Sequence, residues 1–397
     1  MRKISFRKCP ICENQNVEVL HRQHFVLPQG HPLTKEYDVV SCLRCDFIYA
    51  DIPTVQKDYD TFYASCSKYE DKATASGGGI SSWDARRLIE TAEYLSNVWP
   101  DRTKSIVDVG CANGGLLCQL KKLGYKNLCG IDPSGLCIEN TRALGVNAIV
   151  GSLLSLPENI SSYDRVILSH VLEHIADLQG AIHSVHMQMA ANGQIYVELP
   201  DASRYAETVF SPFQEFNTEH INHFSALTCA NLMQSQGFVV RKQGVRSIET
   251  SPGKPYPVIY SVWLKDSSLK KALDLQRDSE LKSKIGDYIA ISQQMIGIIE
   301  KRLATIIKFN PAIILWGTGQ LLMKLLTYTE LKSARIVALV DGNPINQGKY
   351  LGEIPILAPE ELHRFDSPIL ITTLLHQREI SETIRRMGLP NEILQLL

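Results

Sequence analysis

The sequence predicts an α/β protein in three parts: an open sheet in the middle, a small cysteine module ahead of it, and a second, smaller α/β unit behind. Three observations predict this. Two Cys-x-x-Cys pairs stand within the first 45 residues. From about residue 85 apolar runs alternate with amphipathic stretches, the pattern of an open α/β sheet. The same pattern restarts at Ala312, after a charged helical stretch. At 397 residues the chain is too long for one ordinary core. Its 44% hydrophobic and 21% charged content is that of a soluble globular protein. The formal net charge is −1, so no general attraction to nucleic acid is written into the composition. No apolar run approaches the roughly 18 residues that a membrane helix needs. The basic start has no apolar stretch behind it, so no signal peptide is expected. Ten cysteines without an export signal argue for reduced thiols and a cytoplasmic chain.

Cys9-Pro-Ile-Cys12 and Cys42-Leu-Arg-Cys45 are two knuckles separated by 29 residues. A two-residue gap lets both thiolates of a knuckle reach one metal, and two knuckles complete a closed tetrahedral zinc site. Such a site leaves no position for water and is expected to be structural. Short strands at Val17 to Leu20 and Tyr37 to Ser41 flank a bend at Pro28, Gly30 and Pro32. Too few apolar residues lie here for an independent core, and the metal supplies the missing folding free energy. Paired disulfides are the competing reading, which a reducing compartment disfavours. Cys118 and Cys137, in helical patterns, read as buried small apolar groups.

In the central part, Ser105 to Val109 is a short apolar strand ending at Gly110-Cys-Ala-Asn-Gly-Gly115. Further strands are expected at Leu128 to Ile131, Ala148 to Val150, Tyr163 to Leu168 and Gly193 to Glu198. Ligands bind such sheets at the carboxyl ends of the strands. Gly110 and Gly114 remove side chains where the backbone turns sharply and approaches a nucleoside. Asp132, 24 positions after Asp108, is placed to accept hydrogen bonds from ribose hydroxyls. Those features alone also suit a dinucleotide, although the loop is not Gly-x-Gly-x-x-Gly.

Asp108-Val-Gly-Cys-Ala-Asn-Gly114 resembles the first motif of class I S-adenosylmethionine (SAM)-dependent methyltransferases, with Ala112 in place of the middle glycine. The resemblance implies a Rossmann-like core with SAM as cofactor. It extends to Asp132 at the ribose, to Gly151-Ser152-Leu153 near the adenine, and to Ser169-His170-Val-Leu-Glu-His174 after the fourth strand. His170-Val-Leu-Glu-His174 also matches the inverted zinc-protease pattern. A protease needs that segment inside a long helix, and here it directly follows an apolar strand.

Past the fifth strand comes Phe216-Asn-Thr-Glu-His-Ile-Asn-His-Phe-Ser225. Three readings are open. Glu219, His220 and His223 supply a general base with an orienting partner, since imidazole titrates near neutral pH. Alternatively Ser225 caps a helix over 226–236 and the histidines are only exposed. The third is a metal pair, His220 and His223, with Glu219. The order of parts, with Glu219-His220-Ile221 and Phe224-Ser225, resembles the deoxysugar C-methyltransferases, which methylate a nucleotide-linked 4-keto sugar at the carbon beside the carbonyl. That resemblance implies His220 as the base removing the α-proton, with Tyr63 or Tyr69 nearby. Asn217 stands where that family has a tyrosine.

Residues 266–308 carry Leu269, Leu273, Ile285, Ile289, Ile296, Ile299 and Leu303 at helical spacing, a core stripe on one or two connecting helices. Ala312 to Gly319, Arg335 to Val340 and Pro368 to Thr372 then outline a second Rossmann-like unit. It either grips a nucleotide diphosphate at a helix N-terminus or serves as scaffold. The expected division is a zinc module at 1–55, a methyltransferase domain at 56–265, a connector at 266–309 and a rear domain at 310–397. A small-molecule acceptor, a nucleotide sugar methylated at carbon or oxygen, is the leading expectation, without nucleic-acid or membrane partners. A zinc-containing ribosomal RNA methyltransferase and a non-catalytic metabolite sensor are the alternatives.

Overall fold

The structure is a computed structural model that describes residues 1–65, 77–154, 162–251, 253–266 and 275–397. Four short strands open the chain: β1 (Arg2–Ile4), β2 (Asn16–His24), β3 (Glu36–Cys42) and β4 (Ile48–Asp51). Each knuckle is the turn between two of them. The residue after the second cysteine of each, Glu13 and Asp46, has φ 60°, and its N–H donates to the first cysteine's carbonyl at 2.9 Å. The two turns are thus built alike, folding both thiols of a pair to one side.

Helices α1 (Gln56–Ser65) and α2 (Ser82–Val98) lead into alternating elements: β5 (Ile106–Val109), α3 (Gly115–Lys122), β6 (Leu128–Asp132), α4 (Gly135–Ala143), β7 (Asn147–Val150), β8 (Tyr163–Ser169), α5 (Leu178–Gln188) and β9 (Met189–Pro200). After β10 (Asn222–His223) and α6 (Ala226–Ser235) come β11 (Phe238–Ser251) and β12 (Lys254–Lys265). The central sheet has the order β11-β12-β9-β8-β5-β6-β7. From β9 to β7 it is parallel, and β11 and β12 close one side antiparallel. All four residues of β5 are buried, as a strand covered on both faces requires. The chain leaves β5 toward β6 and β7 on one side and returns to β8 and β9 on the other. That reversal opens a crevice at the carboxyl end of β5.

The five expected central strands are all present, and α6 begins one residue after Ser225, whose side chain and that of Thr228 form a reciprocal capping box. Strands β11 and β12 were not expected. β11 alternates poorly, with Arg241, Lys242 and Gln243 exposed in a row, so its period of two is masked. The short strand β10 does not join the central sheet. It pairs antiparallel with β4, Asn222 against Tyr49 and His223 against Ile48, as the fifth strand of the N-terminal sheet. One buried cluster holds the knuckle cysteines, Phe47 and Tyr49 together with Leu168, Phe224 and Trp263, so module and central sheet share a core.

Beyond it run α7 (Ser279–Phe309), β13 (Ile313–Trp316), α8 (Gln320–Tyr328), β14 (Ile336–Val340), β15 (Tyr350–Leu351), β16 (Ile354–Leu357), β17 (Ile369–Ile371), α9 (Gln377–Arg386) and β18 (Ile393–Gln395). The sheet order is β15-β16-β14-β13-β17-β18, parallel except at β15. Ile285, Ile289, Ile299 and Leu303 of α7 are buried, as their spacing requires, while Leu269 and Leu273 lie outside the described residues. The chain forms two compact units that are discontinuous in sequence. One comprises 1–20, 39–208 and 219–284, and the other 21–38, 209–218 and 285–397. Within the second, Val26 N–H donates to Met323 O at 2.8 Å, and the buried Lys324 ammonium donates to Phe213 O. Burial brings that lysine down to about 7. The Gly317-Thr-Gly319 turn is closed by its own chain, since Thr318 N–H donates to Asp341 Oδ2 at 2.9 Å.

Candidate active site

At the carboxyl end of β5, Gly110 (φ 77°), Ala112 (φ 45°) and Gly114 (φ 74°) all take left-handed backbone, so the turn demands glycine-like conformations at three positions. A Cβ on Gly110 would fall 2.7 Å from Val171 Cγ2, and one on Gly114 would fall 2.6 Å from Thr141 Oγ1. Asp132, at the end of β6, accepts the N–H groups of Ala112 and Ser134, both at 2.9 Å. It thereby fixes the turn while holding a carboxylate at the crevice. Asp108 is buried, and burial, reinforced by Asp132, pushes its carboxyl up to about 8. Ser152 and Leu153 follow β7, with Leu153 buried, and Ser169 donates to Glu198 Oε1 at 3.3 Å. Sequence reasoning missed Asp84. Its Oδ2 accepts Gly77 N–H (2.9 Å) and Gly79 N–H (2.7 Å), and Gly115 N–H donates to Gly77 O (2.9 Å), so a glycine loop before α2 docks on the same turn.

Four expected or neighbouring groups meet on the acceptor side: Tyr63 of α1, His174 after β8, and Glu219 and His220 before β10. Tyr63 Oη lies 2.9 Å from His174 Nδ1 and 3.4 Å from Glu219 Oε2. His174 Nδ1 is also 3.1 Å from the Glu219 carbonyl, which can only accept, so this nitrogen carries the proton. Tyr63 is then oriented to donate onward to Glu219. The His174 and His220 rings meet edge to face, 4.9 Å between centroids. Burial brings His174 down to about 4, leaving it a neutral imidazole. His223 is not part of this group. It is fully buried in β10, its ring against Tyr205. Tyr69 lies outside the described residues.

The segment His170 to His174 is no helix. His170 has φ 57° and only Leu172–His174 form a single 3-10 turn, which removes the zinc-protease reading. Instead His170 bridges two buried carboxylates, Nδ1 to Glu173 Oε1 at 3.3 Å and Nε2 to Glu198 Oε1 at 3.5 Å. Burial opposes its charge, but the two carboxylates prevail and raise it to about 9. Glu198 is in turn held below its ordinary range against burial by His170 and by Arg246, which donates to it through Nε at 2.9 Å. Arg246, Glu198, His170 and Glu173 therefore form a row of alternating charge. Sequence reasoning caught His170 but not its partners, because Glu198 and Arg246 come from different strands.

Among the described residues, two groups of His, Cys, Asp or Glu could share an ion: the four cysteines, and Glu173 with His174 and His220. The combination of His220, His223 and Glu219 does not assemble. Glu173 already contacts His170, and His174 Nδ1 is engaged by Tyr63 and the Glu219 carbonyl. The four thiols fit a metal better. All are buried, with Cys9 Sγ 3.6 Å from Cys45 Sγ and Cys12 Sγ 3.4 Å from Cys42 Sγ. A zinc tetrahedron with bonds of about 2.3 Å has sulfur–sulfur edges of roughly 3.8 Å. Arg44 N–H and Asn14 Nδ2 both point at Cys42 Sγ, at 3.4 and 3.5 Å, as donors around a thiolate do.

Two parts of the chain resemble known protein families. Residues 81–243 match a family described as a methyltransferase domain, and residues 309–394 match one described as C2185-like, N-terminal. The chain is 26% identical over 213 residues to a tRNA U34 carboxymethyltransferase of Vibrio cholerae serotype O1, covering 50% of this chain and 62% of the relative. The Aliivibrio salmonicida protein of the same name is 28% identical over 190 residues, covering 45% and 57%. The chain thus spans less than two thirds of the length of these relatives. A solved SAM-dependent methyltransferase from Methanosarcina mazei is 18% identical, with 43% of this chain and 97% of that one covered and a TM-score of 0.37. No helix among the described residues is long and apolar enough to cross a membrane. With the acidic-glycine turn after β5 and the carboxylate after β6, residues 81–243 form a methyltransferase domain of the SAM-dependent kind.

Proposed function

We propose that this chain transfers the methyl group of SAM to a small acceptor that must first lose a proton, the carbon beside the keto group of a nucleotide-linked deoxysugar. The meeting of Tyr63, His174, Glu219 and His220 carries this reading, because methylation at carbon needs a base and a donor to the developing enolate oxygen. His220 takes the α-proton, and the electron pair of the broken C–H bond moves into the carbonyl. Tyr63, which accepts from His174, turns its O–H from Glu219 to the resulting oxyanion. When bound, SAM would supply an electrophilic methyl group to the enolate carbon, its sulfur keeping the bonding pair.

On the cofactor side, the Gly110 to Gly114 turn would hold the methionine part, and Asp132 would accept from ribose hydroxyls. Ser152 and Leu153 flank the adenine, with Ser169 and His170 at the strand end. Zinc on Cys9, Cys12, Cys42 and Cys45 is structural. A sugar hydroxyl is the alternative acceptor for the same base. A tRNA acceptor is the second reading, favoured by the name of the curated relatives; the net charge of −1 weighs against it. The test is proton NMR of nucleotide-linked 4-keto deoxysugars in deuterated water. We expect loss of the α-proton signal without SAM, at least about 100-fold slower in His220→Ala, and a new methyl signal with SAM. Methyl transfer to tRNA, with no exchange or methylation of any sugar, overturns the sugar assignment.

A further inference from the structure

The loops that bring this acceptor chemistry together come from distant parts of the chain, and one side chain ties them. Arg7 stands two residues before the first knuckle. Its Nε and Nη2 donate to Ala176 O at 3.2 and 2.6 Å, and Nη2 also donates to Ile175 O (3.1 Å) and Asn222 Oδ1 (2.9 Å). Its Nη1 donates to Ile221 O at 3.2 Å and reaches Ala50 O at 3.5 Å. Every acceptor past residue 170 immediately follows a group of the proposed site: Ile175 and Ala176 follow His174, and Ile221 and Asn222 follow His220. Asn222 repeats the clasp from the other side, its Nδ2 donating to Leu172 O and Ile175 O, both at 2.7 Å. Ile221 N–H completes it on Glu173 O at 2.8 Å.

We propose that Arg7 is a positioning residue for methyl transfer, one that holds the 172–176 and 219–223 segments in a single arrangement so that Tyr63, His174, Glu219 and His220 converge. A planar guanidinium suits this task because its fixed fork of N–H groups addresses several carbonyls at once, which an ammonium cannot. Its own place is fixed in two ways. Arg7 N–H donates to Asp51 Oδ1 at 2.9 Å, and the guanidinium lies over the Tyr49 ring, 5.6 Å from its centroid. Asp51 and Tyr49 belong to β4, the strand onto which β10 is paired. The N-terminal module is thus a template for the acceptor loops. This inference deepens the proposed function, on which it rests for its chemical meaning.

Hydrogen exchange read by mass spectrometry on the full chain tests the clasp without any acceptor. In Arg7→Met, amides of 172–176 and 219–223 are expected to exchange at least about tenfold faster, while β5, β8 and α6 keep their protection. SAM affinity measured by calorimetry is expected to stay within about twofold. Arg7→Lys keeps the charge and reaches fewer carbonyls, so it should lie between the two and covers the case in which the methionine variant does not fold. With an acceptor in hand, kcat should fall at least about tenfold in Arg7→Met with KM for SAM unchanged, and Arg7→Lys should recover part of it. Unchanged exchange in both segments, or faster exchange throughout the chain, overturns the proposal. A chain that shows the local exchange effect but methylates no sugar keeps the clasp and loses the sugar reading.

Discussion

His170 concentrates a large electrostatic commitment in one ring. It contacts two buried carboxylates, which raise it from 6.5 to about 9 in spite of burial. A base raised on folding stabilises the fold fully below its unfolded value and loses that contribution as pH climbs through the folded one. The interval corresponds to on the order of 3 kcal/mol at about 1.4 kcal/mol per pH unit. Relative to His170→Gln, the wild type should therefore lose stability in urea from about pH 6.5 toward pH 9.5, while Asp108, raised to about 8, and Lys324, lowered to about 7, titrate in both chains and drop out of the difference. A difference between the two chains that stays constant from about pH 6.5 to 9.5 would sink this assignment. On the acid side the signs reverse. Glu173 and Glu198 lie below their ordinary range and His174 is depressed to about 4, so each costs stability as pH falls through its folded value.

At the scale of elements, the turn between β5 and α3 is the most exacting. Gly110→Ala puts a methyl group 2.7 Å from Val171 Cγ2 at a backbone φ of 77°, so both space and conformation are violated. We expect a loss of about 1–3 kcal/mol in stability and at least a tenfold loss in SAM affinity by calorimetry. Binding equal to wild type would show that the turn does not face the cofactor. Ala112, already at φ 45°, shows why the resembling family has glycine there. The turn, Asp132, the knuckles and the five parallel strands were legible because each is local: a spacing, a short apolar run, a glycine beside an acid. The row from Arg246 to Glu173 was not, since it joins residues of β9, β11 and the turn after β8 that touch only after the sheet forms. Arg7 was invisible for a related reason. Its partners are backbone carbonyls, which leave no mark on residue type. His223 illustrates the opposite error, a histidine near the right place in sequence whose strand turns it into the core.

At the scale of the whole molecule, the four thiols and the central sheet are parts of one buried cluster. Metal loss should therefore do more than loosen the first 50 residues. We expect one zinc per chain by elemental analysis, absent in Cys9→Ser, and a fall of at least about 5 °C in thermal midpoint on chelation. A metal-free protein with an unchanged midpoint would remove zinc from the account. The two compact units are discontinuous, residues 21–38 and 209–218 belonging with 285–397. That feature has a consequence in time. A ribosome adding about 5–20 residues per second delivers Ile285, where the last segment of that unit begins, roughly 12–50 s after residue 38 has been made. Throughout that interval Phe25 and Leu33, buried in the finished protein, have no completed unit to join. The nascent chain must wait, and what shields those side chains meanwhile decides its yield.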